Sequence, residues 1–222
     1  MTLKATVFED PAAVARATAR LVTSALENGA QSLVLAGGTT PKAAYQLLRP
    51  EPAWGRVSVL FGDERCVAPD DPESNYAMAQ QNLLARVGPA TVYRIPGELG
   101  AEEAARRYDA VMQRVGPLDL VLLGMGQDGH TASLAPGYTE EVTGTALAIA
   151  VHDFPKPPPD RVSLTLRAVR SAKRVVFIVT GEDKADAVVL ASEGRVPSGQ
   201  VAGAEYLFDR AAAAKLPDAT AG

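Results

Sequence analysis

Short apolar runs and longer amphipathic stretches alternate along the chain. Val57-Ser58-Val59-Leu60-Phe61 and Leu118-Asp119-Leu120-Val121-Leu122-Leu123 are almost continuously apolar over the length of a buried strand. Further strands are predicted over 6–8, 31–36, 91–95, 146–151, 161–166 and 174–180. Between them, 11–27 carries Val14, Leu21, Val22 and Leu26 at helical spacing. Helices are also predicted over 41–48, 74–86, 101–115, 182–192 and 205–214. This alternation predicts an α/β protein: a single-domain, mainly parallel, Rossmann-like open sheet with helices on both faces. The segment Pro155-Lys156-Pro157-Pro158-Pro159 is too short to separate domains and reads as a stiff connection. One domain is expected over 1–222, with about 215–222 as a frayed tail.

Composition narrows the function. Apolar residues make up 47% and charged residues 22% of the 222 positions, as in ordinary globular proteins. A net charge of −4 argues against a general nucleic-acid binder, which carries a basic stripe. It leaves room for a small anion held by local cations and a helix N-terminus. No apolar run approaches a membrane span, and Met1-Thr2-Leu3-Lys4 lacks a signal-peptide core. The lone Cys66 excludes an internal disulfide framework and fits a reducing compartment, the cytoplasm by default. The expectation is therefore no nucleic acid, no membrane, and a monomer or weak homo-oligomer.

Four clusters could carry chemistry. Gly124-Met125-Gly126-Gln127-Asp128-Gly129-His130 follows the 118–123 strand, where ligands bind in open α/β sheets. Its glycines match G-x-G-x-x-G, but Pro136-Gly137 stops the long helix that a dinucleotide fold requires. A tight turn explains the glycines without explaining Asp128 and His130 at a strand end. With only two histidines in the chain, His130 is a candidate for acid–base work. The second cluster is Gly37-Gly38-Thr39-Thr40-Pro41, with Thr40 as expected N-cap and Pro41 as expected first helical residue. Its free amides and hydroxyls suit a phosphate; a capped turn of purely structural purpose would look the same.

The third is Asp63-Glu64-Arg65 at another strand end, either a ligand site with Arg65 on a phosphate or a surface ion pair. The fourth is Lys156, whose flanking prolines pre-aim its ammonium, with Arg161 of similar standing; both could equally be solvated. Ser133 lacks a nucleophile elbow, and Asp128 with His130 lacks further metal ligands at a usual spacing. His152 reads as structural. Cys66 reads as a small buried thiol, or as one activated by Arg65.

Together these clusters resemble the 6-phosphogluconolactonases and, more distantly, the glucosamine-6-phosphate deaminases. Besides the loops above, the resemblance runs through Ser74-Asn75-Tyr76, Thr131-Ala132-Ser133-Leu134, the Pro155–Thr165 stretch and Val179-Thr180-Gly181-Glu182-Asp183-Lys184. The deaminases typically continue Asp-Gly-His with Ile-Ala-Phe-Asn-Glu-Pro, whereas Thr131-Ala132-Ser133-Leu134-Ala135-Pro136 here has no glutamate. Ala135 replaces a usual aromatic, and Pro197-Ser198-Gly199-Gln200 is less apolar than the family pattern.

The resemblance implies hydrolysis of a sugar-phosphate lactone, 6-phospho-D-glucono-1,5-lactone, without cofactor or metal. It implies His130 as general base, Asp128 beside it, and substrate or phosphate binding by Gly37, Gly38, Thr39, Thr40, Asp63, Arg65, Gly129, Lys156 and Arg161. The alternatives are a glucosamine-6-phosphate deaminase/isomerase or a non-catalytic sugar-phosphate sensor.

Overall fold

The computed structural model describes residues 3–139 and 144–217. The expectations for the first residues and for the tail fall partly on 1–2 and 218–222, outside the described residues. Within the tail, Lys215 pairs with Asp186 at 2.6 Å and Leu216 packs on the core, so 215 and 216 are tied down.

In chain order the elements are β1 Lys4–Phe8, α1 Pro11–Glu27, β2 Ser32–Leu35, α2 Thr39–Leu47, β3 Ser58–Phe61, β4 Asp63–Arg65 and α3 Asn75–Ala79. A π turn, Gln80–Leu84, continues α3 into α4 Ala85–Val87, followed by β5 Thr91–Val92 and α5 Ala101–Val115. Then come β6 Leu120–Leu123, β7 Ala148–Val151, β8 Arg161–Leu164, α6 Leu166–Arg170, β9 Arg174–Val179, α7 Ala185–Ser192 and β10 Glu205–Asp209.

Seven strands form one sheet in the order β1-β10-β9-β6-β2-β3-β5, and each neighbouring pair is parallel. Its middle strands β2 and β6 are buried along their full length, which is why they read as continuous apolar runs. The chain steps from β2 to β3 to β5 in one direction, then from β6 to β9 to β10 in the other. The order therefore reverses between β2 and β6, and a cleft opens beyond the carboxyl ends of strands at such a switch point.

Two expectations are corrected, and the mainly parallel sheet, which holds, gains an addition. Segment 205–214, read as a helix, contains β10, inserted between β1 and β9. Tyr206, Leu207 and Phe208 are buried on both faces of the sheet, and the Ala211–Ala214 run that suggested helix only turns away behind them. The addition is a separate antiparallel sheet of β4, β8 and β7, so not all strands join the parallel one. The second correction is that the strand read over 161–166 ends at Leu164, because Thr165 caps α6 by accepting from the Ala168 amide.

Two buried tyrosines fix the strand ends that face the cleft. The Tyr45 hydroxyl of α2 accepts from the Ala36 amide at 2.9 Å and donates to its carbonyl at 3.0 Å. Tyr108 of α5 does the same for Phe61, at 2.8 and 2.9 Å. Backbone groups with no ladder partner are thereby satisfied inside the core.

Candidate active site

Beyond β2 the chain turns at Gly38, whose φ of 107° makes it the N-cap of α2. The expected cap at Thr40 is thus corrected: the turn comes two residues earlier, and Thr39 and Thr40 both lie in the first helical turn. Pro41 stands third, still within the first turn, where a missing amide costs nothing. No side chain caps α2, so its first amides face the cleft. Thr40 Oγ1 meets Thr180 Oγ1 at 2.7 Å, tying this helix end to the end of β9.

Beyond β6 the glycine loop folds tightly on itself. The Gly126 amide donates to the His130 carbonyl at 2.9 Å, and the Gly129 amide to the Gly126 carbonyl at 3.0 Å. A Cβ at Gly126 would lie 2.0 Å from the imidazole, so only glycine lets the ring sit there. Gly129 has φ +86°, and a Cβ would strike Val196 at 2.6 Å. Among the described residues no long helix follows before β7, in keeping with the rejected dinucleotide reading. Thr131 Oγ1 donates to the Gly124 carbonyl at 3.0 Å and closes the loop.

Asp128 and His130 meet directly. Asp128 Oδ1 lies 2.6 Å from His130 Nδ1 and accepts from the His130 amide at 3.2 Å. Burial tends to raise the Asp128 pKa, but the amide and ring of His130 outweigh it and hold the carboxyl below its usual range. For His130, burial lowers the pKa more than Asp128 raises it, and Lys156 lowers it further. The ring is therefore neutral near pH 7. An ionised carboxylate can only accept, so Nδ1 carries the proton and Nε2 has a free lone pair.

A cavity of ≈ 200 Å³ beside this pair is lined by Gly37, Gly38, Asp63, Arg65, His130, Lys156, Arg161 and Lys184, among others. Seven of these were expected from the sequence, scattered over 125 positions, and the switch point gathers them. A neighbouring cavity of ≈ 140 Å³ lies at the start of α2 and is lined by Thr39, Thr40, Thr180 and Lys184. Both cavities share Gly37, Gly38 and Lys184. Arg65 and Lys156 line the first and not the second. Sequence reasoning missed Lys184 as a site residue; the signal was its place one turn beyond the end of β9, the same kind of position as the other clusters.

The carboxylates of β4 point to different places. Asp63 lines the cavity, with Oδ2 accepting from Ser133 Oγ at 2.7 Å and Oδ1 from Asn75 Nδ2 at 3.1 Å. Glu64 turns the other way, buried under the start of α3, where burial pushes its carboxyl upward despite four donors. Arg65 Nη1 donates to the Glu73 carbonyl and lies 3.7 Å from the Glu73 carboxylate.

Arg161 is 4% exposed, and its guanidinium donates to the carbonyls of Lys156, Pro157 and Pro158 at 2.9–3.3 Å. It thus shapes the proline turn from beneath while Lys156 stays exposed above the cavity. His152 is exposed between Asp160 at 2.8 Å and Glu102 at 3.1 Å, and these hydrogen bonds raise its pKa. Cys66 is half-buried, and burial followed by Asp160 and Glu64 pushes its thiol up to about 11, so Arg65 does not activate it. The 197–200 segment packs closely: Ser198 is fully buried, and its amide donates to the Gly129 carbonyl at 3.3 Å.

Comparison with known proteins gives a consistent picture. The family model for glucosamine-6-phosphate isomerases/6-phosphogluconolactonase matches residues 9–208. A 6-phosphogluconolactonase of Streptomyces coelicolor is 36% identical over 93% of this chain and 90% of its own. One from Mycobacterium tuberculosis is 36% identical over 85% and 86%. The solved structure of a 6-phosphogluconolactonase from Trypanosoma cruzi is 26% identical and superposes with a TM-score of 0.86, covering 98% of this chain and 99% of that one.

Proposed function

The chain belongs to the glucosamine-6-phosphate isomerase/6-phosphogluconolactonase family, and from that membership we infer that it hydrolyses 6-phospho-D-glucono-1,5-lactone to 6-phospho-D-gluconate, the lactonase step of the oxidative pentose phosphate pathway, with His130 activating the water. The observation that carries the role of His130 is the 2.6 Å contact between its Nδ1 and Asp128 at the wall of a cation-lined cavity. Nε2 takes a proton from water as the oxygen attacks the lactone carbonyl. Asp128 holds the tautomer and stabilises the imidazolium that forms. Backbone amides of the glycine loop, or the cations of Arg65 and Lys156, meet the tetrahedral oxyanion. The imidazolium then returns its proton to the departing ring oxygen.

The phosphate lies at the start of α2, on the amides and hydroxyls of Gly38, Thr39 and Thr40. Lys184 lines both cavities, its ammonium 2.9 Å from Asp183, and serves as the phosphate's cation there, while Arg65 and Lys156 add a positive field from the His130 side. Binding energy from this remote group holds the ester against the base. Asp63, fixed by Ser133 and Asn75, accepts from a sugar hydroxyl. The single cysteine supports action in a reducing compartment such as the cytoplasm. Among the described residues no helix is long and apolar enough to cross a membrane.

The deciding experiment follows freshly generated lactone with 6-phosphogluconate dehydrogenase as the coupling enzyme, spontaneous hydrolysis subtracted. Turnover above background is expected. Its absence, with ammonia released from glucosamine 6-phosphate instead, would overturn the reading.

Two further outcomes are expected. Protonation of His130 removes the base, so kcat/KM falls as the pH drops through its pKa. Because burial depresses that pKa, the acid limb lies below the ordinary value of 6.5. A pH profile with its limb above 6.5 would contradict the assignment. Lys184→Ala raises KM for the phosphorylated lactone by about tenfold, the scale of one charged hydrogen bond, with a smaller change in kcat. An equal loss on the unphosphorylated lactone would remove Lys184 from the phosphate.

A further inference from the structure

We propose that Phe154 is a positioning residue for the base: its ring holds the His130 imidazole in orientation, shields it from water, and couples it to the turn that carries Lys156. The proposal rests on the role of His130 given above. Phe154 is 4% exposed, and its ring lies edge-on to the imidazole, centroids 5.1 Å apart and planes at 88°. It does not line the cavity that holds His130; it lines an apolar cleft with Leu134, Ala135, Pro136 and Tyr138. It therefore touches the base without a route to the substrate, which sets it apart from the catalytic residues.

The same ring has a second partner. The Arg161 guanidinium carbon lies 4.1 Å from the Phe154 centroid, in cation–π geometry. That guanidinium gathers the carbonyls of Lys156, Pro157 and Pro158, and the Phe154 amide donates to the Pro159 carbonyl at 3.0 Å. One aromatic side chain thus joins the imidazole to the proline turn.

The charged groups facing His130 come from three elements: Asp128 on its own loop, Asp63 on β4 and Lys156 on the proline turn. Arg65, Arg161 and Lys184 complete the charges lining its cavity. All of these are polar or wettable. Phe154 is the aromatic neighbour that keeps water off the ring, in agreement with burial as the main cause of the depressed basicity of His130. Removing it admits water beside the imidazole and frees its rotation.

The test reads geometry and chemistry separately. The chain has two histidines, so imidazole NMR resolves two titrations, His130 below 6.5 and His152 above it. Phe154→Ala is expected to raise the His130 midpoint toward 6.5 and lower kcat by about tenfold, within the loss that a misplacement of about 1 Å can cause. Phe154→Leu, which keeps the apolar cover and guards against a folding failure of the alanine variant, is expected to retain most of the depression. A His130 midpoint and kcat at wild-type values in both variants would overturn the proposal while leaving the base in place. Full activity in a parallel His130→Ala variant would instead overturn the base, and the role of Phe154 with it.

Discussion

Replacing His130 with alanine lowers kcat by about 10²–10⁴-fold and leaves KM nearly unchanged. The size follows from what remains. The phosphate seat at α2, the cations and the glycine loop still bind and orient the lactone, and an ester of this reactivity still hydrolyses slowly with unassisted water. What disappears is the proton acceptor at the cavity wall and the acid that serves the leaving oxygen. Those act only in the transition state, so the loss belongs in kcat. Steady-state kinetics with the dehydrogenase-coupled assay checks this. An unchanged kcat would take His130 out of the chemistry, and a matching rise in KM would make it a binding residue. Asp128→Asn should fall between wild type and His130→Ala, because the imidazole loses its preferred tautomer but keeps its place.

Replacing Glu64 with alanine destabilises the fold by about 3 kcal/mol or more, with a fall in Tm of about 10 °C for a chain of this size. Its Oε1 accepts from the amides of Arg65 and Asn75 at 2.8 and 2.7 Å. Its Oε2 accepts from the Tyr76 amide at 2.8 Å and Ser74 Oγ at 2.9 Å. The side chain is thus the common acceptor for the opening of α3 and for the strand that carries Asp63 and Arg65. Alanine leaves four donors without an acceptor in a place that is 3% exposed. Glu64→Gln keeps one oxygen but turns an NH₂ toward amides, and should be nearly as harmful. Urea unfolding of the three proteins decides it; a loss under 1 kcal/mol for alanine would mean that water satisfies the donors.

The carboxylate pair illustrates how far the sequence reaches. Asp63 and Glu64 at a strand end announce chemistry, but only the fold divides them into a cavity wall and a buried brace. Nothing local could, because Ser133, which turns Asp63 toward the cavity, comes from a segment 70 positions away. The strand ends themselves were legible, since apolar runs of strand length stop at Gly37-Gly38, Gly62-Asp63 and Gly124. The β10 strand was not: three buried residues beside a run of alanines give helix propensity more weight than the sheet gap they fill. The antiparallel β4 escaped for a related reason, being three polar residues whose pairing with β8 lies nearly a hundred positions away. Lys184 was visible as a residue and silent as a ligand, because only the fold brings it to the shared wall of two cavities, with its ammonium 2.9 Å from the Asp183 carboxylate.

The place of β10 bears on how the molecule is made. Among the described residues, the first strand pairs along its whole length with the last strand and with no other. While the chain leaves the ribosome, β1 must wait for some 200 residues before its hydrogen-bonding edge is covered. Once β9 has been made, its outer edge, including Phe177 and Ile178, stays open until β10 fills it. Closure of so distant a pairing is slow, and the exposed flank is where a nascent or shortened chain would stick to another copy. A chain ended before Glu205 would lose more than one strand: it would leave β1 without a partner and the sheet open along the flank of β9.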